Sequence, residues 1–109
     1  SDINTVIAAS GSSPAYFFLF LEAMQQQIIA MGLDKITART LIQQAMLGAA
    51  KMVIENPQTE LATLREQVTS KGGTTAAALQ VFQQQHLDEI IAEAMQAVVA
   101  RAQEMESLF

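Results

Sequence analysis

The chain has no cysteine and no tryptophan, one histidine, two prolines and five glycines among its 109 residues. Without cysteine there is no disulfide and no thiol chemistry, which excludes the small stapled scaffold of secreted proteins. One histidine, His86, with no cysteine beside it leaves a zinc site without ligands, so no metal is expected. Positive charge is scarce: six Lys and Arg stand against eleven Asp and Glu, a net charge of −5. The six (Lys35, Arg39, Lys51, Arg65, Lys71, Arg101) are scattered singly, and no stripe exists to neutralise phosphates, which argues against nucleic-acid binding. The longest unbroken apolar run, Ala15 to Leu21, ends at Glu22 and is too short to cross a bilayer. The opening Ser1-Asp2-Ile3 lacks the basic start of a signal peptide. A cytoplasmic protein without a membrane partner is the expectation.

Apolar residues, by contrast, make up 50% of the chain. That is generous for one small domain, which buries only about 60–65% of its unfolded surface, so the surplus points to a partner chain. Ala, Gln, Leu and Met dominate, which is helix-forming material. Hydrophobic spacing gives about five helices and no strand, an all-α fold. The first runs from near Pro14 to Met31, with Ser13 as its N-cap and Gly32 as a left-handed stop. Its Tyr16–Leu21 stretch is apolar on every face, as in a helix covered from all sides. A second runs from Ile36 to Glu55 and ends at Asn56-Pro57. A short third covers Glu60 to Val68. A fourth begins at Thr74 and reaches about Gln84. The last runs from Leu87 to near the end with the most regular stripe, and Asp88 and Glu89 suit its first turn.

Two segments break this pattern and offer polar groups. Ser10-Gly11-Ser12-Ser13-Pro14 reads as a loop and a capped helix start. Ser70-Lys71-Gly72-Gly73-Thr74-Thr75 joins two glycines to a fresh helix, where unpaired N–H groups and the dipole favour an anion. Taken alone, the second segment has two readings: a Gly-Gly turn with threonine caps, or a site for a small carboxylate or phosphate. His86 lies in the turn before the last helix, far in sequence from both, and reads as an exposed turn residue. The methionines sit at helix-packing positions.

Three blocks together resemble the pyrroline-5-carboxylate reductase family. They are Ser-Gly-Ser-Ser-Pro-Ala-Tyr at 10–16, Leu-Gly-Ala-Ala-Lys-Met at 47–52 and Val-Thr-Ser-Lys-Gly-Gly-Thr-Thr at 68–75. Nearly the whole chain is covered, and the first and third blocks are specific as a pair. The resemblance implies a C-terminal helical domain, residues 1–109, that interleaves with its twin into a homodimer; assembly into a higher oligomer of dimers is left open. It implies that a separate Rossmann domain binds NADP or NAD, so that this chain alone holds no cofactor and is inactive. It implies that 1-pyrroline-5-carboxylate is held by Ser70, Gly72, Gly73, Thr74 and Thr75, with the Thr75 hydroxyl meeting the imine nitrogen as the catalytic contact. The Ser10, Gly11, Ser12, Ser13 and Pro14 segment would then lie near the nicotinamide. The product is L-proline.

This chain departs from the family pattern at three places. Lys71 stands where proline is usual, which loosens the loop and adds a cation. The Glu55–Leu61 connection is one residue longer and lacks the customary His-Pro. Gln84-Gln85-His86 replaces a glycine-containing turn. The rival reading, from composition alone, is a non-catalytic helical dimerisation module.

Overall fold

The computed structural model describes Asp2–Leu108, and among these residues every regular element is helical. The helices are α1 (Asp2–Val6), α2 (Ser13–Ala30), α3 (Lys35–Glu55), α4 (Leu61–Gln67), α5 (Thr74–Gln84) and α6 (Leu87–Leu108), with a π-helical segment, Ile7–Gly11, between α1 and α2. The five helices expected from hydrophobic spacing are α2 to α6. Their ends are set by the residues that spacing pointed to. Gly32 has φ +113°, and the Leu33 N–H reaches back to the Ile28 carbonyl at 3.3 Å, closing α2 in a left-handed stop. The Asn56 side chain donates to the Met52 carbonyl at 2.8 Å at the end of α3, one residue before Pro57.

Three features depart from the sequence reading. Residues 2–11 are helical, so α2 is preceded by two elements that spacing did not mark, and Ser10 and Gly11 are not in a loop. Ile3, Val6 and Ile7 fall at helical intervals of three and one, but as β-branched residues they are weak helix formers. Ser13 lies inside α2 and makes no side-chain cap; the Ser12 carbonyl takes the Ala15 N–H instead, at 3.2 Å. Asp34, not considered in the sequence reading, caps α3 by accepting the Thr37 N–H at 2.7 Å. Thr37, through its N–H and its hydroxyl, holds the Asp34 carboxyl below its ordinary pKa.

The chain divides into two compact units. One comprises Ser1–Phe20 with Val81–Phe109, the other Leu21–Gln80. In the first, α1 and the π segment lie against α6. Asn4 and Ala8, one helical turn apart, are buried there, while Ile3 and Val6 on the neighbouring faces stay exposed. The Phe20 and Phe82 rings sit 6.0 Å apart at a tilted 38°. In the second unit α3 packs on α4, and Ala38, Ile42 and Leu64 are buried.

Neither unit has a core that would hold a small domain by itself. Among the described residues only Ile42 and Leu64 are large apolar side chains that are buried. Each contributes about 1.5–3 kcal/mol, against an ordering cost of about 1–2 kcal/mol for every residue fixed. The stretch expected to be covered from all sides is instead open in the single chain: Phe17, Phe18 and Leu19 are 63%, 67% and 67% exposed. The helical run Asp2–Ala30 is also long and apolar enough, by length and composition, to cross a membrane. Isolated polar positions interrupt its apolar runs without ending the helix.

Candidate functional site

The segment after α4 is built from the backbone outward. The Thr69 hydroxyl donates to the Arg65 carbonyl and the Thr69 N–H to the Glu66 carbonyl, so α4 is finished before Ser70. The Gly73 N–H then donates to the Ser70 carbonyl at 3.0 Å, closing a four-residue turn over Lys71 and Gly72. Gly72 has φ +72°, whereas Lys71 is not among the residues of positive φ. This combination defines a type II turn, whose third position requires φ above zero and is therefore a glycine. The second position, Lys71, is the one where proline is common in such turns. The lysine thus occupies a place whose backbone a proline would fit.

Gly73 is needed for a different reason. A Cβ built there would stand 3.2 Å from the Ser70 carbonyl oxygen and 3.3 Å from the Ser70 Cβ. The glycine lets the chain fold back on Ser70 tightly enough to aim α5 out of the turn. Its own carbonyl accepts the Ala77 N–H at 3.2 Å, which makes Gly73 the residue that opens α5.

The next three N–H groups, on Thr74, Thr75 and Ala76, meet no acceptor among the described residues. No side chain caps them. Thr74 and Thr75 are exposed, and so is Ser70, whose Oγ lies 3.6 Å from the position of that Gly73 Cβ. Three free amides at the positive end of an 11-residue helix, with hydroxyls on both sides, form a donor set for a small anion. All five residues expected at the carboxylate (Ser70, Gly72, Gly73, Thr74, Thr75) fall within this one short stretch.

Ser10–Pro14 is organised differently. Ser10 and Gly11 belong to the π segment, and the Ser12 N–H closes it on the Ile7 carbonyl at 2.9 Å. Pro14 has no N–H, and the Ala15 N–H is taken by Ser12. The start of α2 therefore has no cluster of free amides. The Ser10 hydroxyl donates to the Val6 carbonyl at 3.0 Å and the Tyr16 hydroxyl to the Ala8 carbonyl at 3.1 Å.

His86 sits between α5 and α6 with φ +58°, exposed, its N–H on Gln83 and its carbonyl accepting from Glu89 and Ile90. It is the hinge residue of a tight corner, in a conformation that glycine adopts more easily. No group of three or more His, Cys, Asp or Glu among the described residues is placed to hold a metal.

One feature of the first unit was not legible as a site. An apolar groove of about 800 Å³ runs along α1 and α6, walled by Ile3, Ile7, Val98, Ala102 and Met105. Asn4 also lines it, and its Nδ2 is buried without a partner.

A chain helical throughout its described residues, with little core and much uncovered apolar surface, has the make-up of a subunit-pairing domain. The family model described as pyrroline-5-carboxylate reductase dimerisation matches residues 1–105, and the chain belongs to that family. Over 109 residues it is 68% identical to the pyrroline-5-carboxylate reductase of Vibrio alginolyticus, covering all of this chain and 40% of the relative. With the enzyme of the same name from Escherichia coli K12 it shares 36% over 103 residues, 94% of this chain and 38% of the relative. Among solved structures it is similar to Plasmodium falciparum pyrroline carboxylate reductase with NADP bound, at a TM-score of 0.89 and 26% identity, over 95% of this chain and 39% of that one. The 1-pyrroline-5-carboxylate reductase of Streptococcus pyogenes gives 0.88 and 28%, over 94% and 39%. The chain spans about 40% of the length of the relatives it matches.

Proposed function

We propose that this chain is the dimerisation and carboxylate-binding domain of a cytoplasmic reductase that converts 1-pyrroline-5-carboxylate to L-proline with NAD(P)H. The observation that carries the reading is the row of free amides at Thr74, Thr75 and Ala76 behind the Gly72 turn. The substrate is a small ring bearing a carboxylate, and the carboxylate docks on these amides and on the Ser70 hydroxyl. Such a site needs no basic patch, which suits a chain of net charge −5. The Thr75 hydroxyl donates to the ring nitrogen, so that charge changing there during reduction is met by a fixed dipole. Positioning and electrostatics are this domain's share of the chemistry.

The residues present do not fit a dinucleotide. No strand lies among the described residues, and no Gly-x-Gly-x-x-Gly segment occurs to open a helix under a pyrophosphate. The nicotinamide cofactor, which supplies the hydride, is assigned to a separate nucleotide-binding domain. We assign the Ser10–Pro14 segment to the neighbourhood of the nicotinamide. By itself the chain reduces nothing.

The same reading accounts for the uncovered apolar faces. A second copy covers Phe17, Phe18 and Leu19 and fills the groove along α1 and α6, in an obligate interface of well over about 2,000 Å². Folding and pairing are then one event. Sedimentation equilibrium at micromolar concentration is expected to give only dimer or a multiple of it. A folded monomer of native helicity would refute the pairing. Val98→Asp is expected to abolish helicity together with association.

The carboxylate site is tested on the chain directly by amide chemical shifts. L-proline at millimolar concentration is expected to move the Thr74, Thr75 and Ala76 amides, and pyrrolidine, which lacks the carboxylate, to leave them in place. Equal responses, or none, would return the chain to a helical pairing module.

A further inference from the structure

We propose that Tyr16 is a positioning residue: through its hydroxyl bond to the Ala8 carbonyl it fixes the register of the π segment, and so the placement of Ser10–Ser12 for the nicotinamide. The proposal rests on the reading above that this segment borders the cofactor. Its evidence is local to the first unit. The Ser12 N–H reaches the Ile7 carbonyl across five residues, at 2.9 Å, so the chain holds one residue more here than an α-helix would. Removing that extra residue's worth of winding would rotate everything before it by about 100° and shift it by about 1.5 Å.

The rotation matters because α1 and the π segment both lie against α6. Asn4 and Ala8 are the residues buried on this side, at 2% and 1% exposure. A rotation of about 100° would carry both off the contact and present Ile3 or Thr5 instead. Something must therefore hold the wider turn, since a π segment has poorer intrinsic stability than the α-helix it interrupts. The Tyr16 hydroxyl donates to Ala8 at 3.1 Å from eight residues ahead, across Gly11 and Pro14. It ties the first turn of α2 to the second residue of the π segment. The serine hydroxyl in the same segment cannot do this, because Ser10 bonds to Val6, only four residues back at the end of α1, and not to α2.

Tyr16 is the only tyrosine in the chain, so one substitution and one label address it alone. Tyr16→Phe keeps the ring and deletes the donor. In the dimer of this chain, exchange of the Ser12 amide is expected to quicken by roughly threefold to tenfold, the worth of one neutral hydrogen bond. The Gly73 amide, closed on Ser70, is expected to keep its rate. Biosynthetic replacement of Tyr16 by meta-fluorotyrosine retains the hydroxyl and is expected to retain the protection of Ser12. In a reductase carrying this domain, Tyr16→Phe is expected to raise KM for NADPH by the same roughly threefold to tenfold. KM for pyrroline-5-carboxylate should stay within about twofold, below what one lost hydrogen bond produces. Unchanged Ser12 exchange in Tyr16→Phe, or its loss with meta-fluorotyrosine, overturns the register role. Faster Ser12 exchange with an unmoved cofactor KM overturns the positioning role. Neither result touches the carboxylate reading, which stands or falls on the Thr74–Ala76 amides and Ser70.

Discussion

The two serine-glycine segments look alike in sequence, each ending in a new helix, yet they leave the backbone in opposite states. At Ser70–Thr75 a left-handed Gly72 and a crowded Gly73 turn the chain sharply, and Thr74, Thr75 and Ala76 keep free amides. At Ser10–Pro14 the helix never fully stops. The Ser12 and Ala15 amides are bonded, Pro14 has none, only the Ser13 amide meets no acceptor among the described residues, and the Ser10 and Tyr16 hydroxyls are turned onto carbonyls. The first offers three adjacent free amides in a row, the second a single one. Glycine content does not separate the two; what does is whether the preceding helix has ended before the next begins.

The sharpest way to break this contrast is to refill the crowded position. Gly73→Val presses a branched side chain on the Ser70 carbonyl at the 3.2 Å approach and loosens the turn itself. In a reductase carrying this domain, kcat/KM for pyrroline-5-carboxylate is expected to fall by more than about 200-fold, just beyond the ~3 kcal/mol upper end for one charged hydrogen bond. A smaller loss than Thr75→Val produces would show that the turn is not what aims the amides.

Next come the hydroxyls. Thr75→Val keeps shape and deletes one donor, with an expected loss of roughly 1–3 kcal/mol in transition-state stabilisation. Ser70→Ala is expected to raise KM for the substrate and leave that for NADPH nearly unchanged. His86→Ala is the control, and steady-state kinetics should not register it. Should Ser70→Ala and Thr75→Val both stay within about twofold of wild type, smaller than one charged hydrogen bond, the carboxylate is held elsewhere.

The turn geometry also predicts a gain. Lys71 is the second residue of a type II turn, and its N–H makes no backbone hydrogen bond among the described residues. Lys71→Pro is therefore expected to raise stability by about 0.4–1 kcal/mol in denaturant unfolding, mainly by restricting the unfolded chain. Destabilisation would mean the lysine backbone is not in the proline-compatible region. The smallest effect concerns α3. Asp34 has its pKa lowered by Thr37, so its contribution is complete above the unfolded-state value of about 3.9 and fades as pH falls through the lower folded value. Thermal melts between about pH 5 and pH 3 should lose more in wild type than in Asp34→Asn, which caps without titrating. Equal slopes would exclude the cap as an acid-sensitive element.

The sequence by itself determined the all-α class, helices α2 to α6 and the stops at Gly32 and Asn56-Pro57, because these depend on period and on residues with fixed backbone preferences. It also marked Ser70–Thr75 as a break before a new helix, while leaving open whether that break is a plain turn or an anion site. It did not disclose the helical Asp2–Gly11 stretch, whose β-branched residues are poor helix formers held by packing against α6. Nor did it show that Ser13 is no cap, because capping depends on which carbonyl the Ala15 N–H chooses. Only the tertiary structure decided that the amides of Thr74–Ala76 remain free while those of Ser12 and Ala15 do not. The reason is physical: hydrogen-bond donors are present at every residue, and whether one is available to a ligand is settled by the neighbours the fold brings to it.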